Sequence, residues 1–95
     1  MNTTNIKPLF PLGQIVATPG ALELLDESGQ APSSYISRHV SGEWGDICKK
    51  DKQLNDAALK DGNRLLSAYQ IGEGKLWIIT EADRSSTALL LPCEY

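Results

Sequence analysis

Three runs rich in apolar and β-branched residues lie in the last third of the chain, at residues 64–71, 76–80 and 87–91. Gly72-Glu73-Gly74 separates the first run from the second, and the polar stretch 81–86 separates the second from the third. Runs of this length joined by short polar turns are typical of β-hairpins. The pattern predicts a three-stranded antiparallel meander, around which the rest of the chain is organised.

Helical spacing prevails in the segment that precedes the meander. Gln14–Ala17 reads as a short strand, and Thr18 then provides an N-cap with Pro19 at the first helical position. The helix predicted from this start spans Pro19–Glu27, with apolar residues at the spacing of one helical face. Pro32 opens a second short helix in the same way, and Gly42 ends it.

A third helix runs to Gly62, and its start has two interpretations. Asp46 could cap a helix that begins at Ile47, or Asp51 could cap a shorter one. The apolar stripe of the shorter helix would consist of Leu54, Ala57 and Ala58. In a continuous helix Asp51 would lie on the apolar face, where an unpaired carboxylate is costly. We therefore favour the break at Asp51.

These elements predict one α+β domain over residues 1–95: a short N-terminal strand, two to three helices, and the meander with the helices on one sheet face. A chain of this length is below the size at which cores divide into separate domains. Residues 1–13 contain Pro8 and Pro11 on either side of Leu9-Phe10. They predict an extended arm, in which Leu9 and Phe10 could dock.

Strict alternation along the strands makes both faces of the sheet apolar. Trp77 and Ile79 fall on one side of the middle strand, and we assign Tyr69 and Leu89 to the same side. The helices suffice to cover the opposite face only. We therefore expect this second face to be met by the arm, by a second subunit or by another partner.

The composition is that of an ordinary globular protein, with 41% apolar and 22% charged residues. A formal net charge of −3 argues against direct binding to nucleic acid, because phosphate binding depends on lysine and arginine. Neither a signal peptide nor a run of about 20 apolar residues is evident, so we expect no membrane segment and a cytoplasmic location. No cofactor is implied.

His39, the only histidine, is the first candidate for chemistry, with Glu43 and Asp46 following it in the sequence. Spacing of i, i+4 on a helix can place two metal ligands on one face. Because Gly42 ends the helix before Glu43, the simpler interpretation is that His39 packs beside Ile36 and forms local hydrogen bonds. The metal site remains the alternative.

The predicted hairpin tip carries Glu81, Asp83 and Arg84. Turn chemistry explains these residues, since aspartate in a turn bonds its own backbone, and an exposed recognition tip is the alternative. Trp44 and Trp77 are candidates for binding hot spots or for the core. The two cysteines, Cys48 and Cys93, have apolar neighbours and are interpreted as buried, reduced thiols. No residue is assigned a catalytic role.

Several stretches carry a resemblance that covers nearly the whole chain: PLGQIVATPGALELL at residues 11–25, RHVSGEWGDI at 38–47, WIITEADRS at 77–85, and the terminal LLLP with Glu94-Tyr95. The chain resembles a family of small bacterial proteins of plasmids and other mobile elements. Its members are labelled "plasmid-related" and sometimes "type I restriction endonuclease subunit M". A methyltransferase subunit needs a cofactor domain and a pocket for the target base, and 95 residues without a Gly-rich strand-to-helix loop cannot supply them.

The resemblance implies a mobile-element setting, in which a small accessory protein would bind a host or defence component. We therefore expect a non-enzymatic cytoplasmic protein-interaction module. Its binding residues would be Tyr69, Trp77 and Ile79 on the sheet face, Glu81, Asp83 and Arg84 at the tip, and Trp44. One alternative is a small metal-dependent enzyme or ligand-binding protein built on His39 and nearby carboxylates. The other is a structural homodimer through the second sheet face.

Overall fold

A computed structural model of the protein describes residues 8–95. The elements follow the order β1 (Gln14–Ala17), α1 (Pro19–Glu27), α2 (Pro32–Val40), α3 (Lys49–Asp61), β2 (Leu65–Ile71), β3 (Gly74–Thr80) and β4 (Ser86–Leu90). A short C-terminal turn, Pro92–Glu94, has 3₁₀ geometry. The α+β class and the meander β2–β3–β4 are confirmed.

The sheet has four strands in the order β1-β4-β3-β2, rather than the three of the predicted meander. β1 joins the sheet beside β4, and these two strands run parallel, with Val16 opposite Ala88. The other neighbouring strands are antiparallel. The N-terminal strand was therefore predicted correctly, but its place in the sheet was not, because residues about 70 positions apart leave no local signal of their pairing.

The inner face of the sheet carries the main core. Leu76 and Ile78 of β3 pack there against Ala21 and Leu25 of α1 and Tyr35 of α2. Helix α1 starts as its sequence predicts, because the Thr18 hydroxyl accepts the Ala21 N–H at 3.1 Å and Pro19 needs no partner for its nitrogen.

The arm contributes to a second cluster at the β2 end of the inner face. Phe10 is 6% exposed there and packs with Val40, Trp44 and Leu65. Leu9, which was expected to dock with it, is 51% exposed. The first seven residues of the predicted arm lie outside the described part of the chain. The described part of the arm, residues 8–13, therefore packs on the inner side and does not cover the second face.

Helix α3 begins at Lys49, which lies between the two predicted starts, after Ile47 and before the favoured break at Asp51. The argument for a break fails because Asp51 is exposed in the first turn, so no carboxylate is buried. The stripe Leu54, Ala57 and Ala58 was also wrong in two positions, since Leu54 and Ala57 are exposed. Asn55 and Ala58 are the buried residues of this helix.

Register corrects the predicted composition of the second face. Tyr69 pairs with Leu76, and Leu89 pairs with Ile78, so both belong to the inner face. Trp77 and Ile79 project from the opposite side, here called the outer face. Two rows of residues cross this face: Val16, Ala88, Ile79 and Leu66 form one, and Leu90, Trp77 and Ala68 form the other.

Candidate functional site

His39 lies at the centre of a buried chain of hydrogen bonds and is 0% exposed. The Thr87 hydroxyl donates to the Leu12 carbonyl oxygen at 2.7 Å, so Thr87 Oγ1 accepts from the Thr80 hydroxyl at 2.8 Å. The Thr80 proton is thereby used, and the His39 Nε2–H donates to Thr80 Oγ1 at 2.9 Å. The Ser67 hydroxyl then donates to Nδ1 at 2.5 Å. This direction of donation leaves His39 as the neutral Nε2–H tautomer.

Burial lowers the pKa of His39 to about 4. The rings of Phe10 and Trp44 contact the imidazole edge-on, with centroids 5.2 and 5.7 Å away. A neutral imidazole whose two nitrogens are both bonded, and which has no route to solvent, cannot serve as a general base for an external substrate. His39 ties α2 to β2, β3 and the arm. Its hydrogen bonds are long-range, not local as the sequence suggested.

The metal-site alternative is not assembled by the fold. Glu43 is exposed and forms an ion pair with Arg38 at 3.4 Å, while the Asp46 carboxylate accepts the Gln70 N–H at 3.2 Å. Neither carboxylate joins His39. Within residues 8–95, no three His, Cys, Asp or Glu side chains are grouped as metal ligands would be.

Trp44 and Tyr69, two of the predicted binding residues, belong to the core. Trp44 is 4% exposed, and its indole N–H donates to the Asp56 carboxylate at 3.1 Å. Tyr69 is 1% exposed, and its hydroxyl donates to the Glu43 carbonyl oxygen at 2.5 Å. Burial raises the pKa of Tyr69 to about 12. Neither ring is available to a partner.

The hairpin tip is organised by its own contacts. The Ser85 N–H donates to Asp83 Oδ1 at 3.0 Å, and hydrogen bonds from the Ser85 side chain and backbone lower the pKa of Asp83. This is the turn chemistry that the sequence predicted. Glu81 pairs across the sheet with Arg64 at 3.3 Å, and this ion pair raises the pKa of Arg64.

Arg84 fastens the tip to α3 and is not a free recognition residue. Its guanidinium donates to four carbonyl oxygens: Ala58 at 3.0 Å, Asn63 at 2.6 Å, Glu81 at 3.1 Å and Ala82 at 3.3 Å. Its φ of 60° is the only positive value among the non-glycine residues that the structure describes. Holding a left-handed backbone outside glycine costs energy, which the four bonds offset. Arg84 is therefore not available as the cation of an exposed recognition tip.

Both thiols are exposed, contrary to the interpretation from their apolar neighbours. Cys48 occupies the N-cap position of α3, and Cys93 lies in the C-terminal turn. Ile47 is the only apolar neighbour of Cys48 in the sequence, and Lys49 and Lys50 follow it, which explains the error at this position. Among residues 8–95, neither thiol belongs to a group of three or more side chains that could hold a metal ion.

The outer face is where the remaining candidates meet. Trp77 is partly exposed near its middle, and Val16 is 45% exposed at its β1 end. Ile79 is 5% exposed and therefore supports the face from beneath instead of offering contact area, which corrects its predicted role. Leu66 and Ala88 are partly exposed on either side of it.

Tyr95 lies against this face, with its ring edge-on to Trp77 at 5.7 Å between centroids. The Arg64 guanidinium donates to the Tyr95 hydroxyl at 2.6 Å. The Glu94 carboxylate accepts the Leu91 N–H at 2.9 Å and the Thr18 hydroxyl at 2.5 Å, and the bond from Thr18 lowers the pKa of Glu94. The C-terminal turn is thus anchored at the N-terminus of α1, and Tyr95 remains 70% exposed.

Sequence reasoning missed the outer-face residues Val16, Arg64, Leu66, Ala88 and Tyr95. The signal for Leu66 was present, because a two-residue turn at Gly72-Glu73 pairs Ile71 with Gly74 and so fixes the register of β2 on β3. Counting back from that turn would have placed Leu66 opposite Ile79 and Tyr69 on the other side. The position of Val16 depends on the long-range pairing of β1 and had no such signal.

Two open grooves of about 470 and 440 Å³ flank α1. The first is lined by Leu22, Asp26 and Pro32, and the second by Leu24, Gly74 and Pro92. None of the site residues predicted from the sequence lines either groove.

No helix among residues 8–95 has the length and apolar character needed to cross a membrane. Comparison of the chain with family models, with curated proteins and with solved structures found no match.

Proposed function

We propose that the protein is a non-enzymatic interaction module that binds a protein partner on its outer sheet face around Trp77. The observation that carries this proposal is that the helices cover one face of the sheet and not the other. Helices α1 and α2 pack on the inner face and α3 lies against the β2 edge, so among residues 8–95 only Tyr95 is laid across the outer face. Ala68, Ile79 and Leu90 are buried there, whereas Trp77, Leu66 and Ala88 are partly exposed and Val16 is 45% exposed. Apolar surface left open in this way marks an interaction site.

The shape and charge of the outer face favour a protein over other ligands. Small molecules occupy concave pockets, whereas the open face presents rows of side chains on a sheet. Its rim carries Lys75 and the Arg64–Glu81 ion pair, so it offers no basic track for a phosphate backbone. A partner would place an apolar or aromatic side chain against Trp77 and would meet the ion pair at the rim.

The resemblance to plasmid proteins suggests which partner to test first. A host or defence component in the bacterial cytoplasm fits a small accessory protein of a mobile element. Enzymatic alternatives gain no support from the described residues, because the candidate carboxylates and His39 are held apart in structural roles.

Affinity capture with matched variants tests the proposal. Ala88→Glu introduces a charge at the centre of the outer face, and Leu54→Glu introduces the same charge on α3, where Leu54 is 59% exposed. We expect Ala88→Glu to reduce the recovered partner by about 30-fold, the effect of losing a hot spot of about 2 kcal/mol, and Leu54→Glu to recover it fully. Circular dichroism checks that both variants are folded.

Trp77→Ala is a second test, because it removes the aromatic side chain from the outer face without adding charge. Loss of the partner with an unchanged circular-dichroism spectrum supports the outer face as the binding surface. Equal recovery by the wild type, Ala88→Glu and Trp77→Ala would contradict the proposal.

A further inference from the structure

The two edges of the sheet are treated differently by the fold. At the β2 edge, Asn55 acts in place of a strand: its amide donates to the Leu66 carbonyl oxygen at 2.7 Å and its carbonyl accepts the Leu66 N–H at 3.1 Å. The Ala68 N–H donates to the Trp44 carbonyl oxygen at 3.0 Å, and the Asp46 N–H donates to the Ala68 carbonyl oxygen at 2.6 Å. This edge is closed to further pairing.

The β1 edge has no such cover from any described segment. The N–H groups of Gln14 and Thr18 donate to β4, so the alternate residues Ile15 and Ala17 point their N–H and C=O groups away from the sheet. Ile15 and Val16 are 46% and 45% exposed. Unpaired, uncharged and apolar edge strands are templates for pairing with another strand.

We propose that β1 pairs antiparallel with β1 of a second copy of this chain, around a two-fold axis that passes beside Val16. This inference goes beyond the proposed function, because it concerns the strand edge and not the outer face. In such a dimer Val16 lies opposite Val16 of the second copy, and Ile15 lies opposite Ala17. Each Ile15–Ala17 pair exchanges two backbone hydrogen bonds, so the four outward groups of each strand are all satisfied.

Backbone geometry selects this register. Pairing around Ile15 would require Gly13 to be extended opposite Ala17, but Gly13 has a φ of 66° and lies outside β1. Pairing around Val16 requires Thr18 to be extended, and its φ of −75° and ψ of 157° are extended values. Registers that place Ile15 opposite Val16 are excluded, because opposed residues must share a face.

Chemistry selects a second copy as the occupant. β1 carries no charged side chain, so two copies meet without like-charge repulsion, and a charged peptide would find no partner on the strand. The pairing also joins the outer-face rows of two molecules, from Leu66 through Ile79, Ala88 and Val16 into the second copy. The result is one eight-stranded sheet with a continuous outer face.

A charge exchange at Val16 tests the dimer and its register together. Sedimentation equilibrium of the wild type, at concentrations up to about 500 µM, should show a monomer–dimer equilibrium. Val16→Lys and Val16→Glu each place like charges opposite one another, and each should weaken the dimer by about tenfold or more. An equimolar mixture of the two variants should recover association, because every lysine then faces a glutamate.

Ile15→Pro removes one outward N–H without touching the bonds from β1 to β4, and proline is accepted at such positions of edge strands. Ile15→Thr is the matched control, since it removes the same apolar side chain but keeps the N–H. We expect Ile15→Pro to be monomeric and Ile15→Thr to remain a dimer. Recovery in the charge-exchange mixture excludes misfolding as the cause of the losses in the two Val16 variants, and circular dichroism checks that Ile15→Pro is folded.

A wild type that stays monomeric at every concentration would overturn the inference, as would a dimer that all four variants preserve. A monomer whose Ile15 and Ala17 amides are protected from hydrogen exchange would overturn it as well, since the same chain would then cover its own edge. These outcomes leave the capture of a partner through Ala88 and Trp77 unaffected. Failure of one proposal is therefore distinguishable from failure of the other.

Discussion

A single buried histidine shows how much of this fold depends on satisfying polar groups in the core. His39 is held by hydroxyls from β2 and β3, and the same chain of donors ends on the backbone of the arm at Leu12. Its environment keeps the imidazole neutral. Protonation would place a charge among the Phe10 and Trp44 rings and would remove the acceptor that Nδ1 offers to Ser67.

Stability should therefore fall as the pH falls from about 6.5 to 4. The unfolded state binds a proton near pH 6.5 while the folded state resists until about 4, so the unfolded state gains protons first and is favoured by acid. Between pH 7 and pH 5 we expect the free energy of unfolding to decrease by about 2 kcal/mol. Urea denaturation at the two pH values measures it.

His39→Gln supplies the control for that measurement. Glutamine retains one donor and one acceptor but does not titrate, so the decrease between pH 7 and pH 5 should disappear in the variant. Asp83 and Glu94 contribute little in this window, because their pKa values are lowered in the folded state and the stability they add is lost below their unfolded pKa values of about 4. An unchanged pH dependence in His39→Gln would contradict the assignment to this imidazole.

At the scale of elements, the position of α3 is decided by one polar residue. Asn55 is 5% exposed and bonds both backbone groups of Leu66, so the helix closes the β2 edge with a side chain instead of a strand. The helix packs its Ala58 into the cluster around Leu65 at the same time. Asn55 thus determines both the orientation of α3 and the end of the sheet.

Asn55→Ala should destabilise the protein by about 2 kcal/mol, because it leaves the Leu66 N–H and C=O without partners in a partly buried place. Gln53→Ala, on the exposed side of the same helix, should change stability by less than about 0.5 kcal/mol. Urea denaturation compares the two, and hydrogen exchange at the Leu66 amide locates the effect. Equal stability of the two variants would show that the hydrogen bonds of Asn55 to Leu66 do not hold α3 against β2.

Elements with local signals could be predicted from the sequence, and contacts between distant segments could not. Thr18-Pro19 determines where α1 starts, and the helix spans Pro19–Glu27 as predicted. The start of α3 was misjudged because its buried face includes Asn55, a polar residue whose burial makes sense only beside β2. Tyr69 was placed on the wrong face because its strand was not counted back from the Gly72-Glu73 turn.

The candidate site divides in the same way. Trp77 is on the outer face as the alternation of β3 predicted, whereas Arg84 was offered as a recognition residue and instead bonds α3 and its own turn. A sequence shows that an arginine is near a turn but not which carbonyl groups will surround it. The position of Tyr95 beside Trp77 depends on how the C-terminal turn docks onto α1, which the local sequence does not show.

At the scale of the whole molecule, the fold is asymmetric in two directions. In the part of the chain that the structure describes, α1 and α2 cover one face of the sheet and Tyr95 lies on the other, while the β2 edge is closed and the β1 edge is open. Apolar surface that remains exposed on a folded chain marks a site where a partner binds. The open edge and the open face are adjacent at Val16, so association of two copies would enlarge the partner surface.

Site-specific photo-crosslinking in bacteria that carry the gene tests the central claim most directly. A photoreactive phenylalanine derivative replaces Trp77 on the outer face, or Leu54 on α3 as the control at a more exposed apolar position away from that face. We expect position 77 to form one discrete adduct with another protein and position 54 to form none. Adducts of equal yield at both positions, or none at position 77, would contradict the claim that the outer face binds a protein partner.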